Sequence, residues 1–124
     1  MKSYRDLEIY KISYDLAVKI HDASLKLPQY EIFEEGSQIR KSSKGIPSCI
    51  AEGYGRRRYK AEFVRYLVFA HASCDETIFH LNILKDTHHE MAGIFEPFIK
   101  PNEELGAKIH KFIEYVEEHW NKNL

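Results

Sequence analysis

The residues most able to do chemistry lie between positions 38 and 65, in QIRKSSKGIPSCIAEGYGRRRYKAEFVR. This stretch holds eight bases, Arg40, Lys41, Lys44, Arg56, Arg57, Arg58, Lys60 and Arg65, against two acids, Glu52 and Glu62. Its local balance is therefore +6, while the remaining ten bases and seventeen acids give −7, so the near-neutral total of −1 conceals a strong segregation of charge. Clustered Arg and Lys suit phosphate contact, and Tyr54 and Tyr59 offer rings on which unpaired bases could stack. The same cations could instead pair with the acids of a neighbouring subunit, because complementary charge also guides assembly. Charge alone leaves both readings open.

Other chemistries find less support. None of the seven histidines stands in a Glu-x-x-His pair of the kind a di-iron bundle uses, Asp86 with His89 being the nearest approach. His71 and Cys74 sit one helical turn apart without a second ligand pair, so no metal or other cofactor is expected. Glu52 and Glu76 fall among apolar helical neighbours, where a carboxylate can be perturbed, but ion pairing explains them more simply: Glu52 with Arg56 at i, i+4, or either acid with Arg40. Ser73 has no base that the sequence assigns to it, and no nucleophile elbow, phosphate-binding loop or dinucleotide fingerprint occurs. No catalytic residue is expected. Cys49 and Cys74 are too few for a disulfide scaffold and read as buried packing thiols.

The elements that must hold these residues are helical. Ile9, Ile12, Leu16, Ile20, Ala23 and Leu27 recur at three- and four-residue steps, which predicts an amphipathic helix over residues 4–27 closed by Pro28. A second helix is expected from position 34 or 37 to 52, kinked near Ser43 because Pro47 removes a hydrogen bond and crowds the preceding turn. Gly53 and Gly55 would end it in left-handed conformations. A third helix, 61–88, carries a seam of Phe63, Leu67, Ala70, Cys74, Thr77, Leu81 and Leu84. A fourth, 102–120, buries Leu105, Ile109, Phe112, Ile113 and Val116, with a further turn possible around Met91 to Phe98. Four helices with short connections predict an all-α, antiparallel up-down-up-down four-helix bundle in one domain, residues 1–124. No run of eighteen apolar residues exists and the first residues lack a signal-peptide core, so no membrane contact is expected and a cytoplasmic location is the default.

The run from Gln38 to Thr77 resembles the signature of the four-helix-bundle family of 23S rRNA intervening-sequence proteins, approximately Q-I-R-x-A-x-x-S-I-P-x-N-I-A-E-G-x-x-R, then S-x-x-E-F and A-x-G-S. Gln38, Arg40, Ile46, Pro47, Ile50, Ala51, Glu52, Gly53, Arg56, Glu62, Phe63, Ala70 and Ser73 match it. YRDLEIYKISYDLA resembles the family's first helix, and LGAKIHKFIEYV is compatible with its fourth. The resemblance implies a non-enzymatic bacterial protein assembling as a ring-like homopentamer. It also implies kinship with accessory proteins of diversity-generating retroelements, which use a basic surface to engage nucleic acid and a reverse transcriptase. The implied partners are thus other copies of the chain, RNA or DNA through the basic residues, or a partner enzyme docked without nucleic-acid contact. Gly45 and Cys49 depart from the usual Ser and Asn. Tyr59 replaces the usual Ser, leaving Glu62 without a capping-box partner.

Overall fold

The computed structural model describes residues 3–120, and all its regular elements are helical. Four long helices dominate: α1 Glu8–Ser24, α2 Glu35–Gly55, α3 Lys60–Thr87 and α4 Ile99–His119. The first starts later than the periodicity predicts. Ser3 and Asp6 close a capping box around the 3₁₀ turn Tyr4–Asp6, and Leu7 then adopts an extended conformation and buries its side chain before α1 begins. At the other end, Leu25, Lys26 and Leu27 tighten into i→i−3 bonds ahead of Pro28.

A single short turn, Gln29–Ile32, follows Pro28, and the chain breaks at Phe33 and Glu34 before α2 starts. Glu31 bridges that break, its carboxylate accepting the backbone N–H of Glu35 at 3.3 Å. α2 continues as helix through Pro47 to Gly55. Neither Gly53 nor Gly55 ends it in a left-handed conformation, since no described glycine has positive φ. The reason for Gly53 is space: a Cβ there would lie 2.9 Å from Cβ of Tyr66 on α3. Close approach, rather than backbone freedom, is what that position needs.

The seam of α3 is buried as its spacing predicts, with Phe63, Leu67, Ala70, Cys74, Leu81 and Leu84 all fully shielded. Two apolar clusters result. One gathers Leu16, Ile46, Ile50, Phe63, Leu67, Ile109 and Val116, and the other gathers Ile20, Ile39, Leu81, Leu84, Met91 and Phe95. On each of α2 and α3 a small polar residue separates the two sets, and these meet across the bundle: Thr77 Oγ1 lies 3.0 Å from Ser42 Oγ and 2.8 Å from the Ser73 carbonyl, its one proton shared between the two acceptors. Short hydroxyl side chains allow close helix contact while keeping buried polar atoms paired.

Between α3 and α4 the chain makes three short turns, His89–Met91, Ala92–Phe95 and Glu96–Phe98, whose Met91 and Phe95 complete the second cluster. α4 then starts at Ile99, with Pro101 in its first turn where a missing N–H costs nothing. Two buried imidazoles tie the start of α2 and the turn before it to the last turns of α3 and the residue that follows it. His88 Nε2 lies 2.7 Å from Glu31, while His80 has Glu35 at 2.6 Å from Nδ1 and Glu76 at 3.3 Å from Nε2. Among the described residues, no helix is long and apolar enough to cross a membrane.

The two glycines should respond oppositely to alanine. Gly53→Ala must displace Tyr66 at the base of its side chain and should cost about 1–3 kcal/mol, as overpacked cores do. Gly55 has nothing within 4 Å of its virtual Cβ, so Gly55→Ala should be neutral or stabilising by about 0.4–1 kcal/mol. Urea unfolding of the two variants checks the pair.

Candidate nucleic-acid interface

The basic stretch folds into the end of α2, a tight turn over residues 56–59 and the start of α3. Tyr59 N–H returns to the Arg56 carbonyl at 2.9 Å, closing the turn, and α3 begins without a side-chain cap at Tyr59. Glu62 therefore has its carboxylate free for cations. It accepts from Arg56 at 3.2 Å and from Arg65 at 3.5 Å.

The eight cations prove unequal. Arg56 sits between Glu52 and Glu62, each at 3.2 Å, with its guanidinium 4.7 Å from the Tyr66 ring centre. Tyr66 chiefly, and then the two carboxylates, raise its pKa above the ordinary arginine value. The sequence pairing of Glu52 with Arg56 is thus present, whereas Glu76 pairs with His80 rather than Arg40. Arg57 donates to the Tyr54 carbonyl at 2.9 Å and lies 4.1 Å from the ring centre of the same residue. Its cation partly covers the α2 terminus, where a positive group offsets the helix dipole. Tyr54 itself is 5% exposed, so of the two expected stacking rings only Tyr59, 64% exposed, faces solvent. Arg58 is exposed, Lys60 half-exposed, and neither has a hydrogen bond or ion pair within the described residues.

Three expected site residues lie elsewhere. Lys41 and Lys44 are exposed on α2 without side-chain partners among the described residues, twelve or more residues before Arg56, which is about 18 Å or more along a helix. Arg40 turns inward. Its guanidinium donates to Ser24 Oγ at 2.9 Å and to the Ile32 carbonyl at 2.8 Å, stapling α2 to the end of α1 and to the turn before α2. Gly36, one helical turn earlier, leaves the room this requires, since a Cβ there would lie 3.1 Å from the guanidinium.

One contributor gave no signal in the sequence. The indole N–H of Trp120 donates to the Arg57 carbonyl at 3.2 Å, and its ring meets Phe63 edge-on at 5.1 Å. The chain beyond α4 thereby fixes the backbone of the basic turn. Trp120 is the one tryptophan of the sequence, but its spacing from α4 says nothing of this contact.

Cys74 is fully buried and donates to the Asn102 carbonyl at 3.1 Å, and burial pushes its thiol up to about 12, far from the thiolate that metal binding or nucleophilic attack requires. Among the described residues no group of three or more His, Cys, Asp or Glu is arranged to hold a metal ion. His71 has Asp75 at 3.6 Å and stands beside His110, at 6.2 Å between ring centres.

In comparison with known proteins, a family model described as 23S rRNA-intervening sequence protein matches residues 5–111. No curated protein matches the chain. The matched span includes the whole basic stretch and excludes Trp120.

Arg40→Ala should behave as a lesion of the fold. Losing two hydrogen bonds from a charged donor, with acceptors left half-buried, should cost about 1–3 kcal/mol in chemical denaturation. The salt dependence of any RNA binding should stay unchanged, since this guanidinium is already engaged by Ser24 and the Ile32 carbonyl.

Proposed function

The chain belongs to the family of 23S rRNA-intervening sequence proteins, and from that premise we propose that it is a non-enzymatic RNA-binding protein that assembles with itself and needs no cofactor. One observation carries the RNA reading. Between two cations whose side chains have no partner among the described residues, Arg58 and Lys60, the chain exposes the flat ring of Tyr59. Cations placed for the backbone and a ring placed for a base are the two parts from which single-stranded recognition is built. Glu52 and Glu62 take up the charge of Arg56, which lowers the repulsion among three successive arginines without neutralising Arg58. Arg65 adds a cation one turn into α3, stacked 5.2 Å from the Phe69 ring centre.

An acidic remainder argues against tight binding to duplexes and favours a confined contact at a loop or bulge of structured RNA, where bases are unpaired. The helices are taken to alternate in an up-down-up-down antiparallel bundle within one domain, with α2 kinked near Ser43, and the protein to work in the cytoplasm. The family resemblance supplies the self-assembly, and the exposed Val68 and Phe79 on α3 accord with it.

Fluorescence anisotropy with a labelled RNA hairpin bearing an unpaired loop tests the assignment across a salt series. The double substitution Arg58→Ala, Lys60→Ala should weaken binding and reduce the slope of log K against log salt by about two, one for each phosphate that no longer meets a cation. Tyr59→Ala should cost about 1–3 kcal/mol of binding with the slope unchanged, as expected for a stacked base. Wild-type affinity and slope in all variants would remove the function from this turn.

A further inference from the structure

An open, mainly apolar groove of about 430 Å³ runs along the contact of α1 and α2, a volume within the range of small-ligand sites. Tyr10, Tyr14 and Val18 wall it from α1, and Pro47 and Ala51 from α2. Tyr14 and Val18 remain 55% and 49% exposed, so the groove presents apolar surface that the fold does not cover. Three polar groups stand in it without partners among the described residues. Asp22 lines it from α1 and Lys44 from α2, yet they form no ion pair with each other or with any other described residue. His21 lines it too, and its Nδ1 is buried without a hydrogen-bond partner among those residues.

The fold gains nothing from these groups. Asp22 falls in the last turn of α1, which ends at Ser24, where the partial negative charge of the helix terminus disfavours a carboxylate. A buried polar atom left unpaired, as His21 Nδ1 is, costs stability and calls for an explanation. The groove is also continuous with the turn proposed above to meet RNA. Ser48, Ala51 and Gly55 fall at helical spacing on one face of α2, Ser48 and Gly55 are exposed, and a Cβ on Gly55 would meet nothing within 4 Å. The acid beside this open track, Glu52, is taken up by Arg56. From Ala51 to Arg56 the track covers only about 8 Å of helix, which a short single strand crosses.

We propose that the α1–α2 groove takes an unpaired guanine of the bound RNA. This rests on the RNA-binding function proposed above and names the base that it selects. The Watson–Crick edge of guanine sets two adjacent donors, N1–H and the 2-amino group, beside one acceptor, O6. An ionised carboxylate only accepts and an ammonium only donates, so Asp22 pairs with the two donors and Lys44 with O6. The other bases match less well. Adenine and cytosine place an acceptor next to the amino group, and uracil flanks its single N–H with two carbonyls that a carboxylate repels. Tyr14 and Pro47 offer the flat surfaces on which a base splayed from a loop rests, and His21 Nδ1 gains a polar partner in the base or its ribose. Lys41, one turn before Lys44 and likewise without a partner among the described residues, then has the adjoining phosphate as its counterpart. The two lysines of α2 and the cations of the turn thus follow one strand.

Fluorescence anisotropy at one salt concentration reads the outcome with hairpins that differ at a single base, guanine, inosine or adenine, in an otherwise all-uridine loop. Wild-type protein should bind the guanine loop about 10- to 100-fold more tightly than the adenine loop, with inosine, which lacks the 2-amino group, in between. Asp22→Asn should bring all three within about threefold of one another. Taking ratios between loops cancels the general gain in affinity from removing an acid. Asp22 is exposed, so the variant should keep its helical circular dichroism; should it not, Lys44→Gln takes its place. Equal binding of guanine and adenine loops by the wild type, or a guanine preference that survives the substitution, would overturn the groove as a base site while leaving RNA binding at the turn standing. Guanosine monophosphate that displaces the hairpin at equal concentration would overturn RNA as the carrier of the base. Failure to bind any of the hairpins would overturn the RNA-binding function itself.

Discussion

Close approach of α2 and α3 is the constraint on which the rest of the structure depends. Three points along their contact require small residues: Ser42 against Thr77 at 3.0 Å, Gly45 whose Cβ would meet Ser73 Oγ at 3.3 Å, and Gly53 whose Cβ would meet Tyr66 at 2.9 Å. Because the helices still touch at Gly53, the chain has only residues 56–59 in which to pass from one to the other. A turn that short cannot bury its side chains, so it holds three arginines and a tyrosine, followed at once by Lys60 of α3, out at one end of the bundle. Packing thus determines where the charge is displayed.

Holding like charges that close is unfavourable in itself, and the surrounding residues show how the cost is offset. Glu52 and Glu62 flank Arg56, Tyr54 receives Arg57 on both its carbonyl and its ring, and Trp120 pins the Arg57 carbonyl from the far end of the chain. Exposed ion pairs of this kind contribute little to stability, about 0–1 kcal/mol each. Their effect is on geometry: two of the three successive arginines are occupied, and Arg58 is left with Lys60 and Tyr59 as the groups facing solvent. Arg40, formally part of the same basic run, belongs to a different task altogether, joining α2 to the end of α1 and to the Ile32 carbonyl.

The four helices were legible in the sequence because burial on a long helix repeats with the helical period, and the α3 seam shows that pattern without interruption. The match of residues 5–111 to the family model accords with the signature in residues 38–77. What the sequence hid depends on contacts between distant positions. A glycine near a helix end reads as a terminator, yet Gly53 serves a neighbouring helix, a need visible only once Tyr66 faces it. His80 and His88 carry no local mark of burial, and their partners Glu35 and Glu31 lie 45 and 57 residues away. In the basic stretch, charge was legible and availability was not, because whether a cation is occupied depends on which carboxylates, carbonyls and rings the fold brings to it.

The central claim is that nucleic acid meets this protein at the turn displaying Arg58, Tyr59 and Lys60. Ultraviolet crosslinking to a loop-bearing RNA, followed by mass spectrometric mapping of the attached peptides, addresses it without altering the protein. Crosslinks concentrated on the peptide containing Tyr59 are the predicted result. Crosslinks falling instead on the α1–α2 groove or on α4, with the Tyr59 peptide unmodified, would contradict it.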